Sequence, residues 1–104
     1  MEVVACNVRV EQFIKSLDKV NGAKAARNIG LLEQYGSQLT FPYSRKMADD
    51  LYELRMTGNN PVRIFYTYFN NQAVLLHGYI KKSARTPTRE LETAIRQLKL
   101  LRQI

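Results

Sequence analysis

The sequence predicts an α+β domain in which an N-terminal helical hairpin and a C-terminal helix pack on a small antiparallel sheet. Three observations carry this expectation. Apolar residues recur at helical spacing between residues 10 and 36, three short β-branched and aromatic runs lie between 51 and 80, and an amphipathic stripe runs through residues 85–103. No internal repeat and no Pro/Gly/Ser-rich linker interrupts the chain, so residues 1–104 read as one domain.

The elements follow in order. "MEVVACN" opens with a brief strand. Val10, Phe13, Ile14 and Leu17 then share a helical face with Asn7 as cap, and "DKVNG" breaks this short helix. Ala25, Ile29, Leu32 and Gly36 mark one face of a longer helix ending at Tyr35 and Gly36. Residues 37–50, "SQLTFPYSRKMADD", show neither period and read as a connector, with Pro42 forbidding a regular helix. "LYELRM", "VRIFYTYF" and "AVLLHGYI" form three antiparallel strands in a meander, joined by the turn-prone "TGNNP" and "NNQ". In the last helix Thr86 is the cap and Pro87 the first helical residue. Glu90 and Glu92 lie near the positive end, Lys99 and Arg102 near the negative end, and Leu91, Ala94, Ile95, Leu98 and Leu101 form the stripe.

Strand alternation sorts the side chains. Tyr52, Leu54 and Met56 oppose Leu51, Glu53 and Arg55; Val62, Ile64, Tyr66 and Tyr68 oppose Arg63, Phe65, Thr67 and Phe69; Val74, Leu76, Gly78 and Ile80 oppose Leu75, His77, Tyr79 and Lys81. With the helices covering the Leu54, Ile64 and Leu76 side, Arg55, Arg63, His77, Tyr79 and Lys81 make a cationic, aromatic face on the other. Each also has a structural reading. Arg63 can pair with Glu53 on a neighbouring strand, His77 can be a hydrogen-bonded structural histidine, Tyr79 can be packing with a polar tip, and Lys81 with Lys82 can protect a solvated sheet edge.

Sixteen Lys and Arg against nine Asp and Glu give a net charge of +7, a bias toward a polyanionic partner. The single cysteine, Cys6, cannot form an internal disulfide and reads as a small core residue, so a reducing cytoplasm is the expected compartment. No apolar run approaches the roughly 20 residues that span a bilayer, and the N-terminus lacks a signal-peptide pattern. A Gly-rich phosphate loop, a zinc motif and a Ser/His/Asp constellation are all missing from the sequence. One histidine rules out a two-histidine ribonuclease mechanism, and the adjacent Asp49 and Asp50 lack further acids at metal-binding spacing.

In order and spacing, "LYELRM", "VRIFYTYF" and "LLHGYIKKSARTPTRELETAIRQL", with the upstream helical hairpin and "LTFP", resemble the RelE/ParE toxin superfamily, most closely its HigB-like, phage-derived branch. The resemblance covers nearly the whole chain. It implies a RelE-like toxin fold and the toxin half of a type II toxin–antitoxin pair, an mRNA endoribonuclease often acting on the ribosome and neutralised by a helix-turn-helix antitoxin. It implies no metal or other cofactor. The matching positions are Arg55, Arg63, Lys81 and Lys82, with Tyr79 and His77 in place but variable in role. Lys46 and Arg85 are further RNA-binding candidates.

Attack of a ribose 2′-OH on the adjacent phosphate requires removal of its proton, stabilisation of the phosphorane and protonation of the departing 5′ oxygen. Guanidinium forks suit the second task, assigned to Arg55 and Arg63. A lysine among cations is a candidate base, so Lys81 is placed first and His77 second, with Tyr79 or a lysine as acid, or Tyr79 as a base-stacking platform. Two other classes fit the same chain: a ParE-like inhibitor of DNA gyrase, and a catalytically inert module that binds only RNA or an antitoxin.

Overall fold

The computed structural model describes residues 1–103. Among these, the chain order is β1 (Glu2–Ala5), α1 (Val8–Ser16), α2 (Lys19–Tyr35), a 3₁₀ turn (Gly36–Gln38), β2 (Ser44–Ala48), β3 (Leu51–Met56), β4 (Val62–Phe69), β5 (Gln72–Ile80) and α3 (Thr88–Arg102). The architecture is α+β, as the sequence predicts, and the three central strands form the expected meander, with the third starting one residue early, at Gln72. Two further strands enlarge the sheet to five in the order β1-β5-β4-β3-β2, with β1 parallel to β5 and the other pairs antiparallel. The sheet is therefore mixed.

β2 lies inside the segment read as a connector. It is an edge strand whose side chains are mostly exposed, so it carries no hydrophobic alternation; its ladder to β3 is made by the backbone. Asp50 at φ 60° closes that hairpin, and Asn70 and Asn71, at φ 51° and 62°, form the two-residue turn from β4 to β5. The Ser44 and Tyr66 hydroxyls hydrogen-bond in the interior and tie β2 to β4.

The helix caps refine the sequence reading. Asn7 caps α1, its Oδ1 accepting from the Val10 N–H at 3.0 Å. The break after α1 is shorter than "DKVNG": Asp18 is itself the cap of α2, accepting from the Asn21 N–H at 2.8 Å, and Asn21 and Gly22 lie within the first turns. α2 ends where expected, with Gly36 at φ 54°. α3 begins one residue later than expected: Pro87, not Thr86, is the cap, and its carbonyl accepts from Glu90 and Leu91 N–H groups at 3.1 and 3.2 Å.

Helices cover both faces of the sheet, not one. α1 and α2 bury Val10, Ala25 and Leu32 against Leu54, Met56, Val62, Ile64, Tyr66 and Leu75. On the opposite face α3 buries Ala94 and Leu98 against Leu51, Phe65, Val74 and Leu76. Leu76 thus faces α3, against expectation, because β5 carries a β-bulge: Phe65 pairs with His77 and Tyr66 with Leu75, leaving Leu76 as the extra residue. The bulge reverses the alternation, so Leu75, Gly78 and Ile80 share the α1/α2 face while Leu76, His77 and Tyr79 share the other. No helix among the described residues is long and apolar enough to cross a membrane.

Gly78 sets the approach of α1. A Cβ built there would lie 2.5 Å from two carbons of the Phe13 ring, so the absence of a side chain lets the ring rest on the strand. Gly78→Ala is expected to cost about 1–3 kcal/mol through overpacking, read as a lower urea midpoint, and Phe13→Leu in the same chain should recover part of the loss.

Candidate nucleic-acid interface

Strand register assembles the site on the α3 face, at the margin of the apolar cluster that α3 covers. Arg55 of β3 stands across from Arg63 of β4, which stands across from Tyr79 of β5. One row further along, Arg45 of β2 faces Glu53 of β3, which faces Phe65 and then His77. Two arginines directly opposite each other repel; here a carboxylate in the neighbouring row offsets the repulsion.

Glu53 is fully buried, 0% exposed. Its Oε1 lies 3.2 Å from Arg45 Nη2, 3.7 Å from Arg63 Nε and 3.9 Å from Arg55 Nη1. Only the Arg45 contact is a hydrogen bond; the other two are electrostatic. Arg63, 4% exposed, donates from Nη1 to the Met56 and Val62 carbonyls at 3.1 and 3.0 Å, which anchors it at the mouth of the β3–β4 turn. Arg55 is partly buried and lays its guanidinium over the Phe41 ring, 4.8 Å from the centroid. Three guanidinium groups share one carboxylate, so positive charge is in excess before any lysine is counted.

Lys81 adds to that excess. Its backbone N–H donates to the Pro61 carbonyl at 2.7 Å, carrying the strand ladder one step past β5. Here Asn59, Asn60, Arg63, Lys81 and Lys82 line an open groove of about 700 Å³. Burial, reinforced by Arg63, Arg55 and Arg45, holds the Lys81 ammonium below its ordinary pKa, with Glu53 opposing. Burial also lowers Arg63, which Glu53 props up against Arg55 and Arg45, and it raises the Tyr79 phenol, keeping that group protonated.

The fold therefore gathers five of the sequence candidates, Arg55, Arg63, Tyr79, Lys81 and Lys82, at one end of one sheet face. Arg63 forms the floor of the groove rather than an exposed point charge, because Glu53 and two carbonyls already engage it. His77 belongs to the same face, but its Nε2 pairs with Glu90 Oε1 of α3 at 2.9 Å, which turns it toward the helix. Tyr79 is no stacking platform for a base: it is 6% exposed, stacked between Phe65 at 5.9 Å and His77 at 6.4 Å. Lys46 pairs with Tyr52 and so lies on the α1/α2 face of β2, away from the cluster. Arg85 is exposed in the loop before α3 and lines none of the groove. Among the described residues no group of three or more His, Cys, Asp or Glu stands together to hold a metal ion.

Sequence reasoning missed Arg45 and Phe41 and underrated Glu53. The alternation of β3 places Glu53 on one side with Arg55, and an acidic residue among buried apolar neighbours in that strand was the available signal for a buried hub. Arg45 and Phe41 carried no such signal, because β2 itself has no legible period.

Against known families, the description "phage derived protein Gp49-like (DUF891)" matches residues 12–99. The chain belongs to this Gp49-like family. No curated protein matches it significantly. In this Gp49-like protein the matched segment runs from within α1 to within α3 and contains the whole Glu53 cluster with its groove. Glu53→Gln should destabilise the fold by about 3 kcal/mol, because a buried guanidinium loses its counter-charge; chemical unfolding measures this. A second change, Arg63→Met, should restore part of the stability lost.

Proposed function

We propose that this Gp49-like protein is the toxin of a type II toxin–antitoxin pair, allied to the RelE/HigB toxins, and that it inhibits translation by cleaving messenger RNA without a metal. Its partners on this reading are mRNA, on the ribosome or free, and a cognate helix-turn-helix antitoxin. The observation that carries the proposal is the convergence of Arg45, Arg55 and Arg63 from three adjacent strands around a single buried carboxylate, with Lys81 beside Arg63 in an open groove. A site with surplus fixed cations and one shared anion suits a phosphodiester.

The chemistry divides among the residues as follows. Neutral Lys81 takes the proton of the ribose 2′-OH, the oxygen attacks phosphorus, and the bond from phosphorus to the 5′ oxygen breaks. The Lys82 ammonium, on the same groove, protonates that oxygen. The products are a 2′,3′-cyclic phosphate and a 5′-hydroxyl. Arg55 and the exposed edge of Arg63 face the phosphorane charge, in positions Glu53 sets beforehand. Lys81 lines the groove, where burial eases loss of its proton, whereas the His77 imidazole is turned away and occupied by Glu90.

A gyrase inhibitor has no need of a concentrated phosphate site, so the clustering favours the nuclease. Brief induction of the protein followed by RNA 5′-end mapping should show cut transcripts; intact transcripts with stalled replication would select the gyrase reading, and no effect the inert one. Arg55→Ala should slow cleavage about 100-fold or more. With purified protein, kcat/KM should rise with pH as the Lys81 free base accumulates and level off at a pH below the ordinary lysine value of 10.5. Lys81→Arg keeps the charge but cannot lose its proton, so it should remove that rise and about 100-fold or more of the rate.

A further inference from the structure

We infer that Phe41 is a nucleobase-stacking platform, the surface that orients single-stranded RNA over the arginines; this deepens the reading of the protein as an RNA-cleaving toxin and rests on it. Phe41 stands in the segment between the 3₁₀ turn and β2 and is 66% exposed, the most exposed aromatic residue of the protein. It belongs to neither hydrophobic core. One face of its ring carries the Arg55 guanidinium, and the segment is pinned where the Arg55 N–H donates to the Tyr43 carbonyl at 2.8 Å. A solvated ring held at a fixed position by a cation of the candidate site is built to meet something flat.

The surroundings say what that is. Each nucleotide presents an anionic phosphate and an apolar π-face side by side, and single-stranded nucleic acid is held by cationic grooves that interleave aromatic rings. Arg55 joins both features: it approaches Glu53 and Arg63 on one side and Phe41 on the other. Two cationic depressions lie at this end of the sheet, one reached through its strand partner Arg63 and the other lined by Arg55 itself. One is lined by Arg63, Lys81 and Lys82; the other by Lys24, Arg27 and Tyr43. From the edge strand β2 to β5 the track crosses three strand spacings, about 14 Å, a short stretch of extended single strand. A purely apolar partner at Phe41 would have to desolvate these cations without neutralising them, whereas a nucleotide satisfies both.

The chain contains no tryptophan, so Phe41→Trp supplies a single reporter. The probe is a short single-stranded RNA with 2′-O-methyl sugars, which lacks the attacking hydroxyl and stays intact. Saturation of the Phe41→Trp variant with this RNA should quench its indole emission, while an abasic oligomer of the same backbone should bind without quenching. Phe41→Ala, with an unfolding midpoint close to the parent's, should bind the RNA about 10-fold more weakly and the abasic oligomer unchanged. Unchanged emission when anisotropy reports the RNA bound, or an Ala variant that binds it as tightly as the parent, overturns the platform while leaving the nuclease reading intact. A parent protein that neither binds nor cuts RNA overturns both.

Discussion

Glu53 has no exposed surface, yet guanidinium groups from three adjacent strands stand within 3.9 Å of one of its oxygens. Removing a carboxylate from water costs several kcal/mol, and in this protein the cost is offset only if β2, β3 and β4 pair in the one register that brings Arg45, Arg55 and Arg63 to it. A slip by one residue would send each arginine to the α1/α2 face, where Leu54, Ile64 and Tyr66 fill the space. The ionic cluster and the apolar core therefore enforce the same register from opposite sides of the sheet. Specificity of this kind is the best-attested use of buried charge.

The β5 bulge extends that logic to the third helix. By inserting Leu76, it allows β5 to present Leu75 to α1 and α2 while Leu76 joins Val74 against α3, and it keeps Tyr79 beside Arg63. Without the extra residue, either α3 would lose its apolar anchor or Tyr79 would leave the cationic row. Bulges are common beside functional sites because they re-aim side chains without changing strand direction. The His77 to Glu90 contact then fastens α3 at the boundary between covered and open sheet.

What remains open is an electrostatic imbalance held rigidly in place. Glu53 neutralises one guanidinium's worth of charge, and the rest of the field falls on the groove beside Lys81 and on the ring of Phe41. The same arginines therefore have two roles: Arg63 is largely structural, Arg45 and Arg55 reach toward solvent, and all three hold their positions before any anion arrives. On the proposed nuclease reading this is preorganisation in its simplest form, since no reorientation would be required as charge develops on a phosphate. The Gp49-like family match spans this entire arrangement, from within α1 to within α3.

Local pattern alone determined much of the molecule. The three central strands, the Asn7 cap, the Gly36 stop and the stripe of α3 were legible because periodicity, capping and turn chemistry act over a few neighbouring residues. So were the sets within single strands, Glu53 with Arg55 and His77 with Tyr79 and Lys81, since alternation survives wherever a strand is regular; register decided that these sets share a face. Tertiary structure decided what depends on partners distant in sequence. Strand β2 exists because β3 offers a backbone edge, not because residues 44–48 have a pattern. The phase of Leu76 turns on a bulge defined only by pairing with β4. The second helical layer follows from α3 finding apolar surface on the far face. Glu53 was legible as a partner for Arg63 but not as a buried hub for three arginines, because a charge is known by its neighbours and its neighbours come from the fold.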